Sequence, residues 1–178
     1  EKAGGRAQGL LQAVRSGRVW VLCLIYFTLV VGMYGIALWM PLILKSITGF
    51  GNFLVGVLSL VPYLAAAVFM VIVGFSSDRT GERRLHMAGA LALASVGFLI
   101  SVVTGSPVGS VACLVIAAAG IWGALGPFWA FAGSFLSGTG AAGGFALINS
   151  IGNLGGFMGP SLMGFFRNAT GSYATGMI

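Results

Sequence analysis

The sequence predicts an all-α membrane protein with five transmembrane helices and the start of a sixth. Three observations predict it. Of its residues 58% are hydrophobic and only 7% charged, with a mean hydropathy of +1.02, whereas soluble domains carry about 25% charged residues. Several uncharged apolar runs reach ~20 residues, the length that crosses a ~30 Å hydrocarbon core. The charges are also gathered. Five of the twelve formally charged residues fall within positions 78–84, while 46–77 and 85–166 carry none, His86 aside.

The thirty glycines fit this class, because small residues let membrane helices approach closely. No Gly-X-Y period runs through them. Cys23 and Cys113 lie in the middle of apolar runs and read as buried thiols, neither disulfide nor metal ligands. The net charge of +6 raises nucleic acid as a partner in a soluble protein. Here the basic residues sit in loops, where positive-inside anchoring in a lipid bilayer explains them, so no nucleic acid is expected. The chain begins at Glu1 without a signal peptide and closes on an apolar stretch at Ile178. It reads as a piece of a longer protein, cut at 178.

Residues 1–18, with Lys2, Arg6, Arg15 and Arg18, read as a basic loop with a short interfacial helix near 10–14. The bundle occupies 19–178. The first span, 19–44, has Trp20, Tyr34 and Trp39 toward its ends, where aromatics sit at the membrane interface, and Pro41 to bend it. Tyr34 and Trp39 have a second reading as cavity-facing side chains. After a polar turn, the second span, 51–75, is interrupted by Pro62, which kinks a helix. The charged turn follows over 76–86, then the third span at 87–103. Thr-Gly-Ser-Pro-Val-Gly at 104–109 is a tight turn before the fourth span, 110–132, loosened by Gly120, Gly123, Gly126 and Pro127. The small residues of 133–144 read as a turn, and 145–166 is the fifth span.

Orientation follows from basic residues on alternating sides. The N-terminal segment holds four Lys and Arg and the charged turn three, against Lys45 and Arg167 on the other side. The richer side is expected to be cytoplasmic, which places 1–18 and 76–86 inside the cell, with the chain as a multi-pass protein of the cell (inner) membrane.

The fifth span divides into two faces. Asn149, Gly152, Asn153, Gly156, Pro160 and Gly164 share one stripe at helical spacing, and Leu147, Ile151, Leu154, Met158, Leu162 and Phe165 share the other. The apolar face suits lipid. The small, polar face suits other helices or a water-filled cavity. Two carboxamides one turn apart need partners, and two readings stay open. They glue helices, or they contact a substrate, donating to a carboxylate and accepting from a hydroxyl.

Enzyme chemistry finds no footing. The spans hold no acid or base, no zinc motif and no phosphate loop, and Ser134 has no histidine or lysine base in plausible reach. His86, beside Arg84, reads as a solvated interface residue. No catalytic residue, metal or cofactor is expected. Intramembrane proton relays use Asp, Glu or His, so proton-coupling residues are expected outside this chain.

The pattern Gly74-x-x-x-Asp78-Arg79-x-Gly81-x-Arg83-Arg84 closes one span and opens the next. It resembles the motif of the major facilitator superfamily, found on the cytoplasmic loop between the second and third helices of each six-helix half. The run from Ala146 through Asn149, Gly152, Asn153 and Gly156 to Gly159-Pro160, followed by Arg167-Asn-Ala-Thr-Gly-Ser, is similar to the eleventh helix of the organic-anion:cation symporters, which include carriers of galactonate, tartrate, glucarate and phthalate. Tyr34-Gly-Ile-Ala-Leu-Trp39-Met-Pro41 resembles their seventh helix, and Leu136-Ser-Gly-Thr-Gly-Ala-Ala-Gly the loop before the eleventh. The likeness covers essentially the whole chain.

This resemblance implies the C-terminal half of a twelve-helix major facilitator fold, with the N-terminal half as its partner. It implies a small organic anion as substrate and a coupling cation, H+ or Na+. It places Trp129 and Asn149 where the family's helix-ten aromatic and helix-eleven asparagine line the central cavity, and Tyr34 where a helix-seven tyrosine approaches it. Asn153 is a further candidate contact. Family members often carry a polar residue just after the helix-ten tryptophan, whereas this chain has Ala130, Phe131, Ala132 and Gly133.

The mechanism implied is alternating access, two halves rocking about a midplane site, with Gly74, Asp78, Arg79, Gly81, Arg83 and Arg84 as the gating group. Asp78 is expected to dock at the N-terminus of the fifth span near Gly143 and Gly144, where the helix dipole attracts a carboxylate. The three arginines are expected to pair with lipid phosphates or acidic groups of neighbouring helices. A structural membrane subunit and a channel-type protein are the alternatives. A channel calls for rings of charge or a carbonyl filter, and the sequence contains neither.

Overall fold

A computed structural model describes residues 13–136 and 141–177. Its helices are α1 (Gly17–Thr48), α2 (Asn52–Thr80), α3 (Arg83–Val103), α4 (Pro107–Phe135), α5 (Ala141–Thr170) and the short α6 (Ala174–Met177), with no strand among the described residues. Most of the expected basic loop and interfacial helix lies outside them, as do 137–140 of the expected turn at 133–144. The rest of that turn is helical apart from the extended Leu136, α4 running on to Phe135 and α5 starting at Ala141.

The long helices mostly overrun the expected spans for a physical reason. Hydropathy marks the stretch that contacts hydrocarbon, whereas a helix keeps its hydrogen bonds past the interface until a stop signal. The stops are local. Gly49, Gly81 and Gly171 end α1, α2 and α5 in the left-handed region at φ 69°, 70° and 71°, the conformation in which a side chain is strained. The starts of α3 and α4 are capped by side chains. Glu82 accepts from the Leu85 N–H at 3.2 Å and Ser106 from that of Gly109 at 3.3 Å.

Each of α1, α2, α4 and α5 runs through an internal proline, namely Pro41, Pro62, Pro127 and Pro160. A proline has no N–H for the carbonyl four residues back. In α1 that carbonyl belongs to Ala37, and the hydroxyl of Tyr63 on α2 donates to it at 3.2 Å.

The helices pack in two layers of contact. α1 lies along α5, α4 lies between α2 and α3, and α4 joins the groups by touching α1. Glycines set the closest approaches. A Cβ on Gly120 of α4 would stand 2.5 Å from the Ala90 carbonyl oxygen of α3, and one on Gly155 of α5 would stand 2.6 Å from that of Phe27 on α1. The enclosed core runs down α4 through Ala117, Ala118, Ala124, Phe128 and Ala132. Its buried hydroxyls are satisfied by backbone carbonyls, as where Ser59 donates to Val55 at 2.7 Å.

The helices α1 to α4 are each long and apolar enough to cross a membrane. The 30-residue α5 matches them in length but is less apolar, diluted by its glycines, Asn149 and Asn153. Large apolar side chains point outward around the bundle, Phe53, Leu64, Val71, Phe75 and Phe157 among them. In water this surface would be a liability, whereas in lipid it is the solvated face.

Candidate functional site

The face of α5 that packs on the rest of the chain is Gly144, Ile148, Gly152, Gly155, Gly159 and Met163. The polar stripe expected from the sequence is therefore split. Gly152 lies on the packed line, against the ring of Tyr26, while Asn149 and Asn153 stand exposed beside it. The glycines decide this, because α1 settles where α5 has no side chains.

The two asparagines bond to each other. Asn153 Nδ2 donates to the Asn149 main-chain oxygen at 2.8 Å and to its Oδ1 at 3.0 Å. Among the described residues the pair ties no second helix to α5. The bonding leaves the Asn149 amide N–H groups and the Asn153 amide oxygen facing outward, donors and acceptor on one surface.

Aromatic side chains flank the pair. Phe145, one turn before Asn149, has its ring centroid 6.0 Å from that of Trp129. Trp129 is held edge-on by Tyr26 at 4.8 Å and Phe128 at 5.2 Å, and those two rings stack at 5.2 Å. The Trp129 indole N–H makes no hydrogen bond among the described residues. At the other end Tyr34 is 39% exposed and lies flat against Gly156, where a Cβ would meet its ring at an ordinary 3.5 Å. Trp129 sits beside Phe145 and Tyr34 beside Gly156, about 16 Å apart along α5 at 1.5 Å per residue. The asparagines lie between them. Trp39 is half-buried, its Nε1 donating to the Pro160 carbonyl at 3.1 Å.

Tyr26, Phe128 and Phe145 had not been singled out from the sequence. Phe145 carried a readable signal, four residues before Asn149 on the same helical face. Tyr26 and Phe128 carried none, because their place depends on how α1, α4 and α5 meet.

The charged turn is organised differently from the expectation. Asp78 does not dock on the N-terminus of α5. It pairs with Arg83 inside its own turn, and Arg83 also donates to Ser77 Oγ at 3.2 Å. Ser77, fully buried, donates a hydrogen bond to the Glu82 carbonyl at 3.2 Å. The Gly144 position is taken by Leu136, and the partner within the turn is nearer. Arg84 lies over the Phe131 ring at 5.1 Å, which brings the start of α3 to the end of α4. Arg79 is exposed, and Gly74 faces Gly126 of α4. His86 is not merely solvated. Its Nδ1 meets the Glu82 carbonyl and its Nε2 lies 2.9 Å from Ser76 Oγ. No group of His, Cys, Asp and Glu among the described residues is arranged to hold a metal.

The profile of the Major Facilitator Superfamily matches residues 2–160. The chain belongs to the Major Facilitator Superfamily. Its helices are those of half of a major facilitator fold. Among curated relatives, a "Putative tartrate transporter" of Agrobacterium vitis is 39% identical over 98% of this chain and 40% of its own length. A "Quinolone resistance transporter" of Acinetobacter baumannii is 36% identical over 94% of this chain and 38% of its own. The "Putative metabolite transport protein NicT" of Pseudomonas putida is 37% identical over 87% and 36%. The chain thus spans about two-fifths of the length of these relatives.

Proposed function

We propose that this chain is the C-terminal half of an inner-membrane carrier. The carrier takes up a small organic anion of the sugar-acid or dicarboxylate type with a cation, H+ or Na+, by alternating access. One observation carries the reading, the open carboxamide pair Asn149–Asn153 between Trp129 and Tyr34. It lies on a helix whose only formal charge is Arg167. Carboxamide N–H groups suit a carboxylate, the amide oxygen suits a substrate hydroxyl, and flat rings at either end suit a short carbon skeleton. The tartrate-transporter relative agrees with that class of ligand. Asn149 and Trp129 are the assigned principal contacts, with Tyr34 and Asn153 as flanking ones.

The half assigned here has no Asp, Glu or His within the spans 19–44, 51–75, 87–103, 110–132 and 145–166, so the proton-relay residues of this reading belong to the other half. In this reading the turn with Gly74, Asp78, Arg79, Gly81, Arg83 and Arg84 is the cytoplasmic latch, and residues 1–18 and 76–86 face the cytoplasm. The Asp78–Arg83 pair holds the turn in shape, and Arg84 on Phe131 couples it to α4.

Counterflow of labelled tartrate, galactonate and phthalate in vesicles holding the complete carrier tests the site. Asn149→Ala and Trp129→Ala are each expected to lower exchange by about tenfold, the worth of one good polar or aromatic contact. Normal exchange of organic anions by both variants rejects the assignment. The quinolone-resistance relative supports a second reading, drug export. It predicts no anion counterflow and lower quinolone accumulation in cells making the carrier.

A further inference from the structure

At the end of the bundle opposite the charged turn, α1, α3, α4 and the end of α5 enclose a pocket of about 350 Å³. We infer that it is a second, outer binding site for a hydroxylated carboxylate, with Arg167 holding the carboxylate and Ser46, Ser101 and Ser110 receiving hydroxyl protons. The inference rests on the carrier reading for the sidedness and the class of ligand.

The charges make the first part of the case. Arg167 lines the pocket, and its guanidinium lies 5.4 Å from the centroid of the Tyr173 ring. Tyr173 in turn lies 5.7 Å from the ring of Trp39, so the cation, though exposed, rests against an aromatic surface. The acidic residues among those described, Asp78 and Glu82, are both in the turn at the other end of the helices. Asp78 is taken by Arg83, and Glu82 caps α3. Lys45, the other cation at this end, donates to Asn52 Oδ1 at 2.8 Å. The guanidinium therefore has no carboxylate among the described residues and keeps a planar set of donors matched to one.

The hydroxyls make the second part. Ser46 donates to the Ile43 carbonyl at 2.8 Å, Ser101 to Phe98 at 2.7 Å and Ser110 to Ser101 at 3.0 Å. Ser101 and Ser110 are more than nine-tenths buried. With its proton committed to the backbone, each hydroxyl offers its remaining lone pairs as acceptors. Such a wall repels a bare carboxylate and welcomes a donor. One cationic donor beside several acceptors fits a molecule with a carboxylate at one end and hydroxyls along its chain. The volume is that of a small-molecule site. Such a site captures substrate at the outer mouth before it reaches the asparagine pair.

Equilibrium binding of labelled L-tartrate to the purified complete carrier tests this in an Asn149→Ala, Trp129→Ala background, in which both principal contacts of the central site are removed. Saturable binding is expected to persist there. It should weaken about tenfold with added Arg167→Gln. It should weaken as much with added Ser46→Leu, which fills the pocket and leaves the arginine in place. Succinate, the same length without hydroxyls, should compete about tenfold less well than tartrate. In transport, Arg167→Gln alone should raise KM with little change in kcat. Binding unchanged by both Arg167→Gln and Ser46→Leu overturns the site, and succinate competing as well as tartrate overturns the hydroxyl assignment. Arg167-dependent tartrate binding without transport of any hydroxy acid would uphold the outer site and sink the carrier reading. Asn149-dependent tartrate transport without Arg167-dependent binding would do the reverse.

Discussion

Adjacent glycines on α5 are predicted to respond in opposite ways to the same substitution. In both Gly155→Ala and Gly156→Ala, alanine is the better helix former by about 1 kcal/mol. They differ in what the new methyl group meets. At 156 it would find the ring of Tyr34 at 3.5 Å, ordinary contact, so the change is expected to be neutral or stabilising by up to about 1 kcal/mol. At 155 it would find the Phe27 carbonyl oxygen at 2.6 Å and the Val31 nitrogen at 3.0 Å, both main-chain atoms of α1. Main chain cannot rotate aside, so α1 must move out by about 0.8 Å to restore ordinary contact. Overpacking of that kind costs about 1–3 kcal/mol. After the propensity gain, Gly155→Ala is left destabilised by up to about 2 kcal/mol. Thermal unfolding of the two purified variants reads the difference, at about 2–4 °C per kcal/mol for a domain of this size. Because α1 carries Tyr26 and Tyr34, the same shift should weaken substrate exchange in Gly155→Ala. A Gly155→Ala variant as stable as Gly156→Ala would refute the close packing of α1 on α5.

Three further predictions concern the proline, the turn and the latch. Tyr63→Phe strands the Ala37 carbonyl that Pro41 leaves unpaired, at a cost of about 1 kcal/mol. Pro41→Ala restores the helical donor, so in a double-mutant cycle Tyr63→Phe should cost nothing in that background, and additive losses would contradict the account. Gly81→Ala has open space around it but sits at φ 70°. Its expected cost is therefore conformational, about 1 kcal/mol, and an unchanged unfolding temperature would argue against the left-handed turn. Asp78→Asn removes a pair whose aspartate side chain is 70% exposed, so stability should fall by no more than about 0.5 kcal/mol. Transport and the balance of inward- and outward-facing states should nevertheless change, and finding both unaltered would dispose of the latch.

The sequence carried the class of the fold and the order of its helices, since apolar length and clustered charge depend only on nearest neighbours in the chain. It also carried the exposed polar face of α5 in outline, through the spacing of Asn149 and Asn153. Contacts between helices were not legible. Nothing in the string says that Gly152, Gly155 and Gly159, rather than the whole polar stripe, receive α1. Nothing says that Tyr26 comes to hold Trp129, or that Trp39 turns inward to Pro160. The docking of Asp78 on α5 was a reasonable use of the helix dipole. It failed because Arg83, five residues on, brings a full opposite charge within reach of the same carboxylate. Helix ends beyond the apolar spans were not legible for a related reason. Arg83 and Pro107 are polar or irregular by composition, yet Glu82 and Ser106 cap the helices that begin there.

The central claim is that the Asn149–Asn153 face lines an aqueous path that holds substrate. Cysteine accessibility measures this most directly. In the complete carrier with Cys23 and Cys113 replaced by serine, Asn149→Cys is expected to react with a membrane-impermeant thiol reagent. Tartrate should slow that reaction. Leu154→Cys, on the outward apolar side of the same helix, should stay unlabelled. No labelling at 149, or labelling there that substrate leaves unchanged, would contradict the account.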